Sequence, residues 1–235
     1  MLIVMNNSVG SVGSTARLLG AGLRALLVLT VICGVVYPLA VTGIAQGLFP
    51  DKANGSEVRS GGRVVGSELI GQRYDLPLKK GQETADPDLK WFQPRPSNGL
   101  GSNRDAGVNT RYDLILSGAT NLAGDSKDLI ADVRAAKAAV VKDNSTADFK
   151  VRPSDVPAEA VTSSGSGLDP HISPRYAELQ VHRVAERNGL AVNQVRKLVD
   201  EHVDGRILGF VGEPRVNVLQ LNVALKGLAA GDAAG

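Results

Sequence analysis

"ALLVLTVICGVVYPLAVTGIAQGLFP", Ala25 to Pro50, contains no charged residue from end to end. As a helix it reaches roughly 39 Å at ~1.5 Å per residue, against a hydrocarbon thickness of ~30 Å, so it predicts one membrane-spanning helix. A cleaved signal sequence is the rival reading. Such leaders carry an apolar core of only about 7 to 15 residues before a small-x-small cleavage site, and this run is well beyond that length and has no convincing cleavage site. Cys33, the single cysteine, follows Thr30, Val31 and Ile32 and lacks the small residue that lipid attachment needs just ahead of it. The segment therefore reads as a retained anchor, with Cys33 facing lipid or packed.

Working outward, the 235 residues, 43% hydrophobic and 21% charged, leave room for one ordinary domain after the anchor. The expected layout is a cytoplasmic N-terminal tail over 1–24, a transmembrane helix over 25–50, an extracytoplasmic domain over 51–225 and a flexible C-terminal tail over 226–235. Orientation follows from charge. Arg17 and Arg24 are the only charged residues before Asp51 and account for the net +2 of the chain, so the N-terminal side stays in the cytoplasm. The remainder is formally neutral, which argues against nucleic acid as a partner. It has no cysteine and must be stable without disulfides.

Within the span, Gly43 and Gly47 form a Gly-x-x-x-Gly pair, and Thr30 with Gly34 repeats the spacing. Pro38 removes a hydrogen bond to the Gly34 carbonyl and predicts a kink. Together Gly34, Pro38, Gly43 and Gly47 mark a face for a partner helix, in a class of helix where glycine and proline are common anyway.

Beyond the span, "GRVVGSELIGQRY" (Gly62 to Tyr74) reads as two short strands around Gly66 or one bulged strand. A long polar stretch to about Asn109 follows, a functional loop or one that docks on a partner. In it "WFQPRPSNG" (Trp91 to Gly99) sets two aromatics beside two prolines, the aromatics reading as core anchors and the prolines as a rigid exposed corner. Helical spacing from Ser126 to Val140 predicts a surface helix capped by Ser126. Further helices are expected over Pro174 to Asn188, stopped by Gly189, and over Val192 to Val203 with His202 packed or partly exposed at its end. "RILGFVG" reads as a strand, and Pro214 to Leu225 has both helical and alternating character, with helix favoured. The fold class is thus α+β, one N-terminal transmembrane helix followed by a mixed α/β domain.

The stretch "VTSSGSGLDPHISP", Val161 to Pro174, brings Ser164, Ser166, Asp169 and His171 close in sequence. A nucleophile elbow requires Gly-x-Ser-x-Gly, and around Ser166 the glycines fall at the wrong offsets. Triad members also converge from separate elements rather than from one short loop. A phosphate-binding P-loop string is absent, and "LSGAT" (Leu116 to Thr120) echoes a nucleotide-transporter signature only weakly. The structural reading accounts for more: Gly165 and Gly167 permit positive φ in a reversal, Asp169 precedes Pro170, and Ser173 with Pro174 forms an N-cap and first helical position without a full capping box, since N3 is Tyr176. The loop is expected to be shaped for structure or for docking, through Gly165, Ser166, Gly167, Asp169 and His171.

"VYPLAVTGIAQGLFPDKANGS" (Val36 to Ser56), "GSELIGQ" (Gly66 to Gln72), "FQPRPS" (Phe92 to Ser97), the loop above and "LGFVGEPRVNVLQLNVAL" (Leu208 to Leu225) resemble, in order, the C-subunit family of the bacterial Kdp potassium-transporting ATPases. Two stretches depart from the family pattern: "GATNLAGDS" (Gly118 to Ser126) and an apparent insertion from Leu76 to Lys90. The resemblance implies a noncatalytic subunit of a high-affinity ATP-driven potassium uptake complex in the bacterial plasma membrane, needed for assembly and activity. Its implied partners are a potassium-translocating channel-like subunit, an ATP-hydrolysing P-type subunit, a small single-span subunit and membrane lipid. The implied role is to raise the ATP affinity of the hydrolysing subunit as a catalytic chaperone, or to shape the outer potassium entrance; the topology favours the second. No metal, cofactor or catalytic residue is assigned to this chain, ATP and potassium being handled by the complex. The alternative is a membrane-anchored extracytoplasmic hydrolase using Ser166 and His171.

Overall fold

In the computed structural model, residues 9–82, 85–97 and 117–232 are described. The chain divides into two units, residues 1–55 and 56–235. The first is a long apolar helix. It comprises α1 (Val9–Val31), a π-helical turn (Ile32–Val36) and α2 (Tyr37–Leu48), followed by the single turn α3 (Pro50–Ala53). Gly13–Leu48 is long and apolar enough to cross a membrane. The helix begins well before Ala25, so much of the stretch expected as an N-terminal tail is helical. Pro38 is absorbed rather than breaking the helix. The turn ahead of it widens so that the Tyr37 N–H reaches the Ile32 carbonyl, a π-bulge that accommodates a missing donor.

The second unit is a mixed helix and strand domain. β1 (Glu57–Ser60) and β2 (Arg63–Ser67) form an antiparallel hairpin. Gly61 and Gly62, at φ 57° and 77°, supply the two positive-φ positions of a primed two-residue turn, whose twist matches that of the strands. Register passes from Val58 opposite Gly66 to Arg59 opposite Val64, so Val65 is the bulged residue and turns into the core. The bulged strand expected here is present, paired with a strand over Glu57–Ser60 that the alternation had not revealed. A Cβ on Gly66 would lie 2.2 Å from Gln72 Nε2 and 2.8 Å from Leu219 Cδ2, so glycine is required there by close approach.

A second sheet has the order β3 (His171–Ile172), β5 (Arg215–Asn217), β4 (Val203–Asp204), all antiparallel. Around it pack α4 (Lys127–Asn144), α5 (Pro174–Asn188), α6 (Val192–Glu201) and α7 (Val218–Asp232). The start and stop chemistry of these helices follows the sequence. Ser126 Oγ accepts the Leu129 N–H, Ser173 Oγ accepts the Tyr176 N–H, and Gly189 closes α5 at φ 66°. Pro214 does not begin a helix. Arg215–Asn217 pairs as a strand on both edges first and α7 starts at Val218, so the mixed periodicity reflected two successive elements. The helix then continues to Asp232 with Leu228 and Ala229 against the core, which corrects the expectation of a flexible tail from residue 226. "RILGFVG" is likewise not a strand but the reversal between β4 and β5.

The core turns on α5, where Val181, Val184 and Ala177 are fully buried. Beside it runs a segment, 88–93, that opens with a turn, Trp91 N–H donating to the Asp88 carbonyl at 3.1 Å, and has no strand partner. Its carbonyls are satisfied by side chains. Phe92 donates to Asn222 Oδ1 at 2.9 Å and accepts from Asn222 Nδ2 at 2.9 Å; Gln93 donates to Gln180 Oε1 at 2.8 Å and accepts from Gln180 Nε2 at 3.1 Å. Two side-chain amides thus do for consecutive residues what a neighbouring strand does in a sheet. Arg183 donates to the Leu89 and Trp91 carbonyls, Asn188 to Lys90, and Gln93 Nε2 back to Asp88. Burial pushes the Arg183 pKa down to about 10, which leaves the guanidinium charged at neutral pH, held additionally by Asn144 Oδ1 at 2.8 Å and Gln180 Oε1 at 2.6 Å. The stretch from Leu76 to Lys90 is closed on itself at its base, where Leu76 N–H donates to the Asp86 carbonyl and Asp88 N–H to the Tyr74 carbonyl.

Replacing Asn222 with leucine keeps the volume and strips both partners from Phe92. With about 1–3 kcal/mol for each of the two buried backbone groups left unpaired, Asn222→Leu is expected to destabilise the domain by about 2–6 kcal/mol. Trp91, the single tryptophan and a buried one, reports unfolding by its fluorescence in denaturant. A loss below about 0.5 kcal/mol, the range of a neutral surface change, contradicts the bracket.

Candidate functional site: a loop where distant segments meet

The loop from Val161 to Pro174 is closed from inside by its serines. Ser164 is buried, and its Oγ accepts the N–H groups of Ser166 and Gly167 at 3.3 and 3.2 Å and shares a hydrogen bond with Ser166 Oγ at 3.1 Å. Ser166 Oγ accepts the Leu168 N–H at 3.1 Å. These are short-range turns in which a hydroxyl replaces a backbone acceptor. Gly167 has φ 72°, a left-handed conformation that suits glycine. Gly165 is not among the positive-φ glycines, so only one of the two works as the sequence suggested. Asp169 Oδ1 then accepts the His171 N–H at 3.0 Å and the chain enters β3.

From outside, backbone groups of four remote segments reach the loop. Gly71 N–H donates to the Leu168 carbonyl at 2.9 Å, Ser164 N–H to Pro96 at 3.1 Å, Gly118 N–H to Ser166 at 2.8 Å and Val218 N–H to Pro170 at 3.0 Å. Arg95 is the clamp. Its Nη1 lies 3.2 Å from Asp169 Oδ2, and its Nη2 donates to the Thr162 and Ser163 carbonyls at 3.3 Å each. Burial alone would raise the Asp169 pKa, but hydrogen bonds from His171 and Arg95 outweigh it and hold the carboxyl below its ordinary 3.8.

This geometry bears on chemistry. Among the described residues no hydrogen bond joins Ser166 to His171: the serine is engaged by Ser164 and Leu168, and the His171 ring lies 3.7 Å from Asp169. A nucleophile needs its base within hydrogen-bond reach, and here the base faces a carboxylate with no hydroxyl between. No group of three or more His, Cys, Asp or Glu suited to a metal occurs among the described residues. Leu116 of "LSGAT" and Gly99 of the proline corner lie outside the described residues. Gly34, Gly43 and Gly47 are exposed, and a Cβ on any of them would meet nothing within 4 Å; Pro38 is exposed too. Thus the helix face and the loop are separate features, one bare and one built.

Three of the segments that meet at the loop, at Gly71, Pro96 and Val218, are among those quoted for the family resemblance, and comparison bears the resemblance out. The family profile described as "KdpC: K+-transporting ATPase, c chain" matches residues 19–227. The chain belongs to the KdpC family. It is 74% identical over 96% of its length to the potassium-transporting ATPase KdpC subunit of Streptomyces avermitilis, covering 99% of that protein. It is 67% identical to that of Streptomyces coelicolor, over 94% of this chain and 96% of the relative, and 42% identical to that of Mycobacterium tuberculosis, over 89% and 97%. A KdpC chain is the non-hydrolytic subunit of its complex, in keeping with a loop whose serines and histidine are occupied by structure. What sequence reasoning missed is Arg95, Gln180, Arg183 and Asn222; for the last three the signal available was a polar residue on the buried face of an otherwise apolar helical stripe, and for Arg95, between two prolines, there was none.

The Asp169 carboxylate stabilises the fold only while ionised, because its folded pKa lies below the unfolded one. That contribution is fully present above the unfolded value and is lost as pH falls through the folded one. Asp169→Asn is therefore expected to cost about 1–3 kcal/mol at neutral pH, with the deficit against the unmutated chain shrinking at acid pH. Unfolding transitions at a series of pH values check this; a deficit that does not narrow in acid contradicts it.

Proposed function

We propose that this chain is the assembly subunit of a high-affinity, ATP-driven potassium uptake complex, anchored by one membrane span with its N-terminus in the cytoplasm and its domain outside. The observation that carries the reading is the loop. Its backbone groups and the Asp169–Arg95 pair join four distant segments of one domain, while the hydroxyls of Ser164 and Ser166 close its turns, as expected of a rigid body that binds. The partners are a channel-like potassium-translocating subunit, a P-type ATP-hydrolysing subunit and a small single-span subunit. The bare face of Gly34, Pro38, Gly43 and Gly47 packs against a partner helix, where small residues allow close backbone approach. The exposed edge of the loop, at Gly165 and Ser166, faces the channel-like subunit near the potassium entrance.

A domain outside the membrane does not touch cytosolic nucleotide. An effect on ATP affinity then passes through the channel-like subunit, and coupling of about 1–3 kcal/mol gives a measurable change. Ser166→Cys, in a Cys33→Ser background and co-expressed with the other subunits, is expected to react in intact cells with a membrane-impermeant thiol reagent. The same chain is expected to co-purify with a large multispan protein and a P-type ATPase. Labelling only after lysis contradicts the orientation, and purification alone contradicts the subunit reading.

A further inference from the structure

The reversal between β4 and β5 carries its apolar residues outward. Leu208 is 83% and Phe210 74% exposed, with Ile207 and Val211 exposed beside them. Ile207 and Val211 exchange both backbone hydrogen bonds, at 2.9 and 3.0 Å, so the tip is a formed hairpin end. Leu208 sits at φ 55° and Gly209 at 80°. A leucine in the left-handed region is strained, and such strain clusters at ligand clamps and functional contacts. The domain gains no burial from it. The neck is charged and balanced, Arg206 against Glu213 at 3.3 Å and Arg215 against Asp204 at 3.7 Å.

We infer that this tip is a contact finger, seated in an apolar pocket with a polar rim on the outer surface of the multispan subunit; the inference rests on the subunit reading above. Charge separates the occupants. Loops that insert into bilayers join an apolar tip to unpaired basic residues that favour anionic lipid, whereas here each arginine has its carboxylate and lipid insertion would bring Glu213 and Asp204 to the headgroups. Self-association needs a finger in one copy and a pocket in the next, a heterologous contact that does not close on itself as a two-fold dimer does. An apolar centre ringed by paired charges has the anatomy of a protein interface, and a tip of leucine and phenylalanine is a compact anchor for one.

The test uses the full chain co-expressed with its partner subunits. Leu208→Ser together with Phe210→Ser removes side chains that the chain itself does not bury, so the Trp91 unfolding transition is expected to stay put. The affinity of the chain for the rest of the complex is expected to fall at least about tenfold, the loss typical of truncating an interface anchor, read as its depletion from purified complexes on dilution. Phe210→Leu, which keeps the apolar contact, is expected to restore most of the retention. A second arm places an environment-sensitive dye on Phe210→Cys, in Cys33→Ser, in nanodiscs of phosphatidylcholine with spin-labelled lipid. Emission is expected to shift to the blue only in the assembled complex and without quenching by the spin label. Quenching by lipid overturns the inference in favour of the bilayer, and a shift in the isolated chain that grows with its concentration overturns it in favour of a second copy. Full retention of the double serine variant overturns it outright. Failure of the unmutated chain to assemble is a separate result, and it sinks the subunit reading instead.

Discussion

Six consecutive carbonyls, from Asp88 to Gln93, lie along the domain's core without a strand to pair with, and each accepts a hydrogen bond from a side chain. A buried backbone has to be satisfied somewhere, and here the donors come from α5, from α7 and from the segment itself. The arrangement fixes more than one segment. Gln180 and Arg183 belong to α5 and Asn222 to α7, so the bracket also ties these two helices to each other and, through Asn144, to α4. Because Arg95 leaves the bracket two residues after Gln93, its guanidinium is delivered to Asp169. The loop's geometry is therefore inherited from the core.

That dependence explains why residues resembling a catalytic set hold structure instead. Each hydroxyl of Ser164 and Ser166 stands in for a turn acceptor, and Asp169 is divided between Arg95 and the His171 N–H. Such a loop is expensive to deform, since any shift unpairs several groups together. A binding body benefits from this rigidity, because contacts on its surface then cost little ordering on association. The membrane helix is the opposite case. Among the described residues its side chains are almost all exposed and nothing approaches Gly34, Gly43 or Gly47, and the proposed use of that face is with a partner helix.

Much of this was legible in the residues. The uncharged run from Ala25 defined the span, and Ser126, Ser173, Pro174 and Gly189 marked helix boundaries because caps act through local backbone geometry. Trp91 and Phe92 were readable as core for their size. What was hidden depends on distance in sequence. Nothing local to Asn222 says that it pairs with Phe92, 130 positions away, and nothing local to Arg95 points to Asp169. The misreadings have the same origin. "RILGFVG" has strand composition, yet positive φ at Leu208, Gly209 and Gly212 turns it into an apolar tip. Pro214 suits a helix start, yet β3 and β4 recruit the next three residues between them before the helix begins. For the loop, the sequence placed the right residues in view, while their roles were settled by partners that arrive from elsewhere.

The central claim is that the loop acts by shape and does no chemistry. The most direct measurement is potassium-stimulated ATP hydrolysis by purified complexes carrying Ser166→Ala or His171→Ala, with the amount of this chain in each complex read on a gel. Removing a true nucleophile or general base lowers turnover by several orders of magnitude. The account predicts hydrolysis within a few-fold of the unmutated complex, in proportion to the chain retained. Abolished hydrolysis with the chain fully retained would contradict it.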